Sequence, residues 1–187
     1  MLSKSEIRWQ VRADRQTIDP AVLHAMSARI RESLLALEAV RDATAWFVYA
    51  STADEIDTHD LIRELLARGD VVAVPRVVGQ GQMIAQQIHA FDELRLSEFG
   101  ILAPAPGQPY VDQIDVCVCP GLAFSEDGHR LGSGGGYYDR FLAARQPRLA
   151  IGLAAEILVR PELPIELHDR PMDYIVTEKR VINCRLF

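Results

Sequence analysis

Residues 114–155 read "IDVCVCPGLAFSEDGHRLGSGGGYYDRFLAARQPRLAIGLAA". Two short apolar runs, "IDVCVCP" and "RLAIGLAA", bracket a glycine-rich loop and a segment of helical character, "YYDRFLAAR". Short, continuous apolar strands are buried on both faces, and a helix between two of them is the usual crossover of a parallel sheet. The same alternation continues outward. Upstream, "ATAWFVYAS" is a strand rich in aromatic and β-branched residues. "HDLIRELLAR" is a helix with Thr58 as its expected cap and Gly69 as its stop, and "DVVAVPRVV" is a strand broken by Pro75. "GQGQ" turns into "MIAQQIHAF", whose alternation marks a hairpin or edge strand.

Nearer the start, Asp19 caps and Pro20 opens a helix in which Leu23, Met26, Ile30, Leu34 and Leu37 recur near the helical period. Before it, "SKSEIRWQVRADRQ" reads as a basic amphipathic helix. Ile7 and Val11 lie on one face, with Lys4, Arg8 and Arg12 at four-residue spacing on another. The proline-rich "GILAPAPGQPYV" is expected to wrap the surface irregularly, and "MDYIVTE" to supply a last strand. The expected architecture is one three-layer α/β domain over residues 1–187, a mainly parallel central sheet covered by helices on both faces. Ligands of such sheets bind beyond the carboxyl ends of the strands, which singles out the loops after "WFVYA", "AVP" and "VCVCPG".

Composition narrows the function. With 49% hydrophobic and 25% charged residues, 187 residues suffice for one core with a site beside it. A net charge of −6 argues against a surface for nucleic acid. No apolar run approaches the ~18 residues of a membrane span, and "MLSKSEIRWQVRADRQ" is too charged for a secretory signal. A cytoplasmic, monomeric protein without membrane partners is expected. Cys117, Cys119 and Cys184 have neither a paired nor a zinc-type spacing; Cys117 and Cys119 share one strand face and read as small buried hydrophobes. The five histidines are scattered without a metal-ligand cluster.

The glycine loop carries the chemistry. A Walker loop is excluded because Tyr137 and Tyr138 stand where Lys and Ser/Thr belong after Gly136. A dinucleotide fingerprint fails because its third glycine falls on Tyr137. The physics of both still applies: Gly132, Gly134, Gly135 and Gly136 permit a backbone nest of N–H groups, and the helix that follows adds its positive dipole end. An anion nest, an ordinary strand-to-helix turn and a mobile loop all remain open on pattern alone. Asp139 would repel a bound anion unless a cation such as Mg²⁺ intervened, with a second carboxylate from "HDRPMD". By themselves, Asp139 suits a helix start and Asp173 a strand entry.

"PGLAFSEDGHRLGSGGGYYDRFL" resembles the signature of the 5-formyltetrahydrofolate cyclo-ligase family. "KSEIRWQVR", "STADEIDT", "VPRV" and "HDRPMDYIVTE" resemble that family's basic N-terminal segment, substrate loop, central strand end and carboxy-terminal acidic strand, so the resemblance spans Lys4 to about Glu178. It implies ATP- and Mg²⁺-dependent conversion of 5-formyltetrahydrofolate to 5,10-methenyltetrahydrofolate. Carried over position by position, Lys4, Arg8, Arg130, Gly132, Ser133, Gly134, Gly135, Gly136, Tyr137 and Tyr138 would bind ATP. Glu55, Tyr137 and Tyr138 would bind the folate, and Asp139 and Asp173 the metal. Ser133 departs from relatives that carry a larger, sometimes cationic, side chain there, so a cation at that position is not implied here. Two other readings compete. A non-catalytic domain sensing a sugar phosphate or nucleotide needs fewer of these residues, and a sugar-phosphate isomerase needs a general base beside the nest, which the sequence does not offer.

Overall fold

The computed structural model describes residues 2–97 and 100–186. Helix α1 spans Lys4–Gln16 and opens on a capping box in which Ser3 and Glu6 satisfy each other's backbone N–H groups. Helix α2 spans Pro20–Leu35, with the Asp19 carboxylate accepting from Ala21 and Val22 N–H. Strand β1 (Ala45–Val48) leads to helix α3 (His59–Ala67), and β2 (Val71–Gly79) turns into β3 (Gln82–Ile88). Strands β4 (Leu94–Leu96) and β5 (Leu102–Pro104) pair as a small ribbon. After β6 (Val116–Cys119) come the short strands β7 (Ala123–Ser125) and β8 (Arg130–Leu131), then helix α4 (Tyr137–Arg145) and β9 (Leu149–Leu153). Strands β10 (Val159–Arg160), β11 (Tyr174–Val176) and β12 (Val181–Asn183) complete the chain.

The central sheet has the order β12-β11-β9-β6-β1-β2-β3. Its five inner strands are parallel, and the edge strands β3 and β12 are antiparallel to their neighbours. The two-residue period divides the core. Trp46, Val48, Val116 and Val118 point to the face covered by Val11 of α1, Ile30 and Leu34 of α2, and Leu61, Ile62 and Leu65 of α3. Phe47, Cys117 and Cys119 point to the other, where Phe141 and Leu142 of α4 close the layer and the Phe47 and Phe141 rings stack at 4.3 Å. Gly152 of β9 has a packing reason: a Cβ there would stand 2.3 Å from the Phe124 ring.

Several sequence expectations need correction. Thr58 does not cap α3, because its hydroxyl donates to Tyr49 C=O; Asp57 accepts the His59 N–H at 2.8 Å instead. Gly69 does end that helix, with φ +82° and the paired Gly69 N–H to Leu66 C=O and Asp70 N–H to Leu65 C=O bonds of a Schellman turn. The glycine loop does not follow a central strand directly, since the β7–β8 hairpin intervenes and β10 pairs beside it. The proline-rich segment contributes β5 and a bridge from Tyr110 to Gln86, and "MDYIVTE" is followed by one more strand, β12. Among the described residues, no helix is long and apolar enough to cross a membrane.

Candidate active site

From β1 the chain proceeds to β2 on one side and later returns as β6 on the other, so the parallel sheet reverses its winding between β1 and β6. That reversal opens a crevice above the strand ends. A cleft of about 790 Å³ lies there, lined by Tyr49 and Ala50 after β1, Pro75 within β2, and Pro120 and Gly121 after β6. Two of the three loops singled out in the sequence, those after β1 and β6, open on it; Pro75 does not break its strand but pairs with Ala85 inside β2, so the third contribution comes from the strand itself. Lys4, Arg8, Glu55, Arg130, Gly132 to Gly136, Tyr137, Tyr138 and Asp139 line the cleft too.

Helix α1 supplies one wall. Burial of Ile7 and Val11 against the sheet turns the four-residue row of cations toward the glycine loop, where Arg8 Nε donates to Gly132 C=O at 2.8 Å. The loop is shaped by two residues with positive φ, Gly134 (+109°) and Gly136 (+64°). Gly136 precedes α4 without a side-chain cap, leaving the first N–H groups of the helix to a ligand or water. Arg140 in α4 secures the arrangement by donating to Gly135 C=O and, at 2.7 Å, to Gly81 C=O in the β2–β3 turn.

Arg130 is nearly enclosed. It donates to Asp139 Oδ1 at 2.9 Å and to Pro120 C=O at 3.3 Å, and its guanidinium lies 5.4 Å from the Tyr138 ring centre. Tyr138 also leans on Phe47 at 6.1 Å, and its hydroxyl is buried without a partner among the described residues. Burial holds that phenol well above its ordinary range, so it remains neutral. Tyr138 is thus a packing residue of the loop as well as a cleft residue. Glu55 uses Oε2 to accept from the Thr52 N–H at 2.8 Å and hydroxyl at 3.0 Å, while Oε1 has no bond among the described residues.

The two carboxylates expected to share a metal are treated differently. Asp139 lines the cleft with Oδ2 unengaged among the described contacts. Asp173 does not line it; Oδ2 accepts from Ala150 N–H and Oδ1 from Arg185 Nε, each at 2.7 Å. Such a carboxylate anchors β11 entry, as its local sequence suggests. Sequence reasoning placed Arg12 in the cationic row of α1 and Asp169 among the candidate second carboxylates; it passed over Arg15, which extends that row, and Asp54, Glu166 and His168, all of which line the cleft. The helical spacing signals Arg15; the contact of Lys4 with Asp169 joins residues 165 positions apart and has no local signal.

Fold and cleft together define an α/β protein whose glycine-lined site, with the α1 cations on one wall and acidic side chains among them, sits at the winding reversal of a parallel sheet. Residues 1–178 match the model of the 5-formyltetrahydrofolate cyclo-ligase family, and the chain belongs to that family of enzymes. It is 30% identical to the 5-formyltetrahydrofolate cyclo-ligase of Mycolicibacterium smegmatis, the alignment covering 96% of each chain. It is 29% identical to that of Escherichia coli K12, covering 91% of this chain and 98% of the relative. The solved structure of Aquifex aeolicus 5,10-methenyltetrahydrofolate synthetase superposes with a TM-score of 0.88 at 30% identity, covering 98% of this chain and 94% of that one.

Proposed function

We propose that the protein converts 5-formyltetrahydrofolate to 5,10-methenyltetrahydrofolate at the expense of ATP, with Mg²⁺ bound alongside the nucleotide. The observation that carries this reading is the cleft itself: the cationic face of α1 opposes a glycine nest at the start of α4, and Glu55 stands in the same cavity. Backbone N–H groups, Lys4, Arg8 and Arg130 suit a polyphosphate. The Glu55 carboxylate suits the paired donors of a pterin edge.

The chemistry explains the co-substrate. A formamide oxygen is a poor leaving group, so attack on the formyl carbon by the neighbouring nitrogen stalls. Transfer of the terminal phosphoryl group to that oxygen yields ADP; the nitrogen then attacks the formyl carbon and gives up its proton to solvent, and phosphate departs with the original formyl oxygen. The protein's part is to align the two substrates and neutralise charge in a confined space. Arg130, held by Asp139 and Pro120, keeps a fixed positive charge beside the loop.

Magnesium, when bound, would supply further neutralisation of the phosphates. Asp139 fits as its protein ligand because among the described residues one of its oxygens has no protein donor, and a single carboxylate completed by phosphate oxygens and water satisfies this ion. Asp173 does not fit in this arrangement, since both of its oxygens already accept from protein. An ultraviolet assay for the methenyl product with 5-formyltetrahydrofolate, ATP and Mg²⁺ tests the proposal. Absence of product from folded protein that still binds ATP would reject it. The effector-domain reading loses support from the family assignment.

A further inference from the structure

Lys4 Nζ is held by two acids from the loop between β10 and β11: Asp169 Oδ2 at 2.7 Å and Glu166 Oε2 at 3.2 Å. The group Glu166, His168 and Asp169 has the composition of a metal site, but the Lys4 ammonium already supplies its cation. The two acids are not equivalent. The Asp169 side chain is 10% exposed and also accepts the Glu166 N–H at 2.8 Å, so the backbone fixes it. The Glu166 side chain is 54% exposed, and among the described residues its only further partner is the solvent-facing His168 at 3.2 Å. An ammonium has three donors; one is hydrogen-bonded to Asp169, while Glu166 stands beside the charge as an ion pair without a hydrogen bond, which leaves donors available to a ligand.

We infer that Asp169 is a positioning residue that holds Lys4 in the cleft for a phosphate group, whereas Glu166 is a displaceable stand-in that an entering phosphate must replace. The inference rests on the proposed reading of Lys4 as a nucleotide contact and goes beyond it by assigning opposite roles to two neighbouring acids. An unanchored lysine on the first turn of α1 retains its rotamer freedom and loses it on binding, so removing Asp169 weakens binding. Removing the Glu166 charge takes away a competitor and a like charge facing the phosphates, so it strengthens binding.

Isothermal titration of the full chain with adenylyl imidodiphosphate and Mg²⁺ reads the difference. Asp169→Asn is expected to bind about tenfold more weakly, the scale of the rotamer freedom that an unanchored lysine loses on binding. Glu166→Gln is expected to bind about two- to threefold more tightly, the scale of an exposed ion pair, with the gain shrinking at high salt. In a Lys4→Met background the Asp169→Asn loss should vanish and the Glu166→Gln gain should shrink to the part that comes from removing a like charge, which a merely structural role for the loop would not produce. Shifts of the same sign, no shift in either variant, or an Asp169→Asn loss that survives in Lys4→Met would overturn the inference while leaving the proposed reaction intact. A wild-type chain that fails to bind the analogue would overturn both.

Discussion

At the scale of single residues, the site separates carboxylates that sequence alone treats alike. Glu55 offers a free oxygen in the cleft and holds its loop with the other. Glu55→Gln should weaken folate binding by about 1–3 kcal/mol through loss of a charged hydrogen bond, with little effect on nucleotide affinity. Parallel titrations with the folate and a nucleotide analogue check it; equal losses would reject the division. Asp139→Asn should raise the Mg²⁺ concentration needed for half-maximal turnover and change thermal stability less than turnover. Asp173→Asn should do the reverse. The side chain bonds Ala150 N–H and Arg185, and its neutralisation should cost about 1–3 kcal/mol of stability with an unchanged Mg²⁺ requirement. Denaturant melts beside Mg²⁺ titrations of activity distinguish the two aspartates.

At the scale of elements, the cleft is an agreement between α1, the glycine loop and α4. The loop holds its shape because Gly136 adopts φ +64° directly before α4 and Arg140 reaches from that helix to Gly135 and Gly81. A Cβ at Gly136 would approach Arg140 Nη1 to 2.8 Å, in addition to the strain of a left-handed backbone. Gly136→Ala should therefore cost about 1–2 kcal/mol. Nucleotide affinity should fall as the N–H groups at the start of α4 lose their alignment. Calorimetric melting and nucleotide titration measure the two effects; an unchanged affinity would show that the loop's conformation does not serve the ligand.

At the scale of the whole molecule, several carboxylates tie distant segments together and make the fold acid-sensitive. Burial pushes Asp115 up, but the Thr44 and Ala45 N–H groups and Arg148 outweigh it and leave its pKa below the ordinary carboxylate value. Burial likewise opposes, and hydrogen bonds from Thr177 and Arg180 reverse, the shift at Glu156; Lys4 and the Glu166 N–H do so at Asp169. A carboxylate whose folded pKa is depressed stabilises the fold above its unfolded pKa and loses that contribution as pH falls through the folded value. Stability should thus be flat near neutrality and decline once pH drops below the usual carboxylate range. Denaturant midpoints measured from neutral to acidic pH check this, and the Asp115→Asn variant should show a shallower decline.

The alternation of short apolar runs with amphipathic segments determined the α/β class, because period-two and period-3.6 burial are local properties of the chain. The same holds for the Asp19 cap, the Gly69 stop and the paired burial of Cys117 and Cys119. The left-handed backbone of the glycine loop was legible for a related reason, since residue type sets the backbone freedom of glycine. Only the tertiary structure decided which polar groups meet. Asp139 and Asp173 look interchangeable in sequence, yet one faces the cleft and the other anchors a strand. Thr58 looks like a cap, but folding brings the Tyr49 carbonyl within reach of its hydroxyl. The short strands β7, β8, β10 and β12 carry too few residues to show a period, and their pairing depends on partners contributed by other parts of the chain. Lys4 meets Asp169 because the sheet brings α1 and the β10–β11 loop to the same cleft, a consequence of topology that no local pattern encodes.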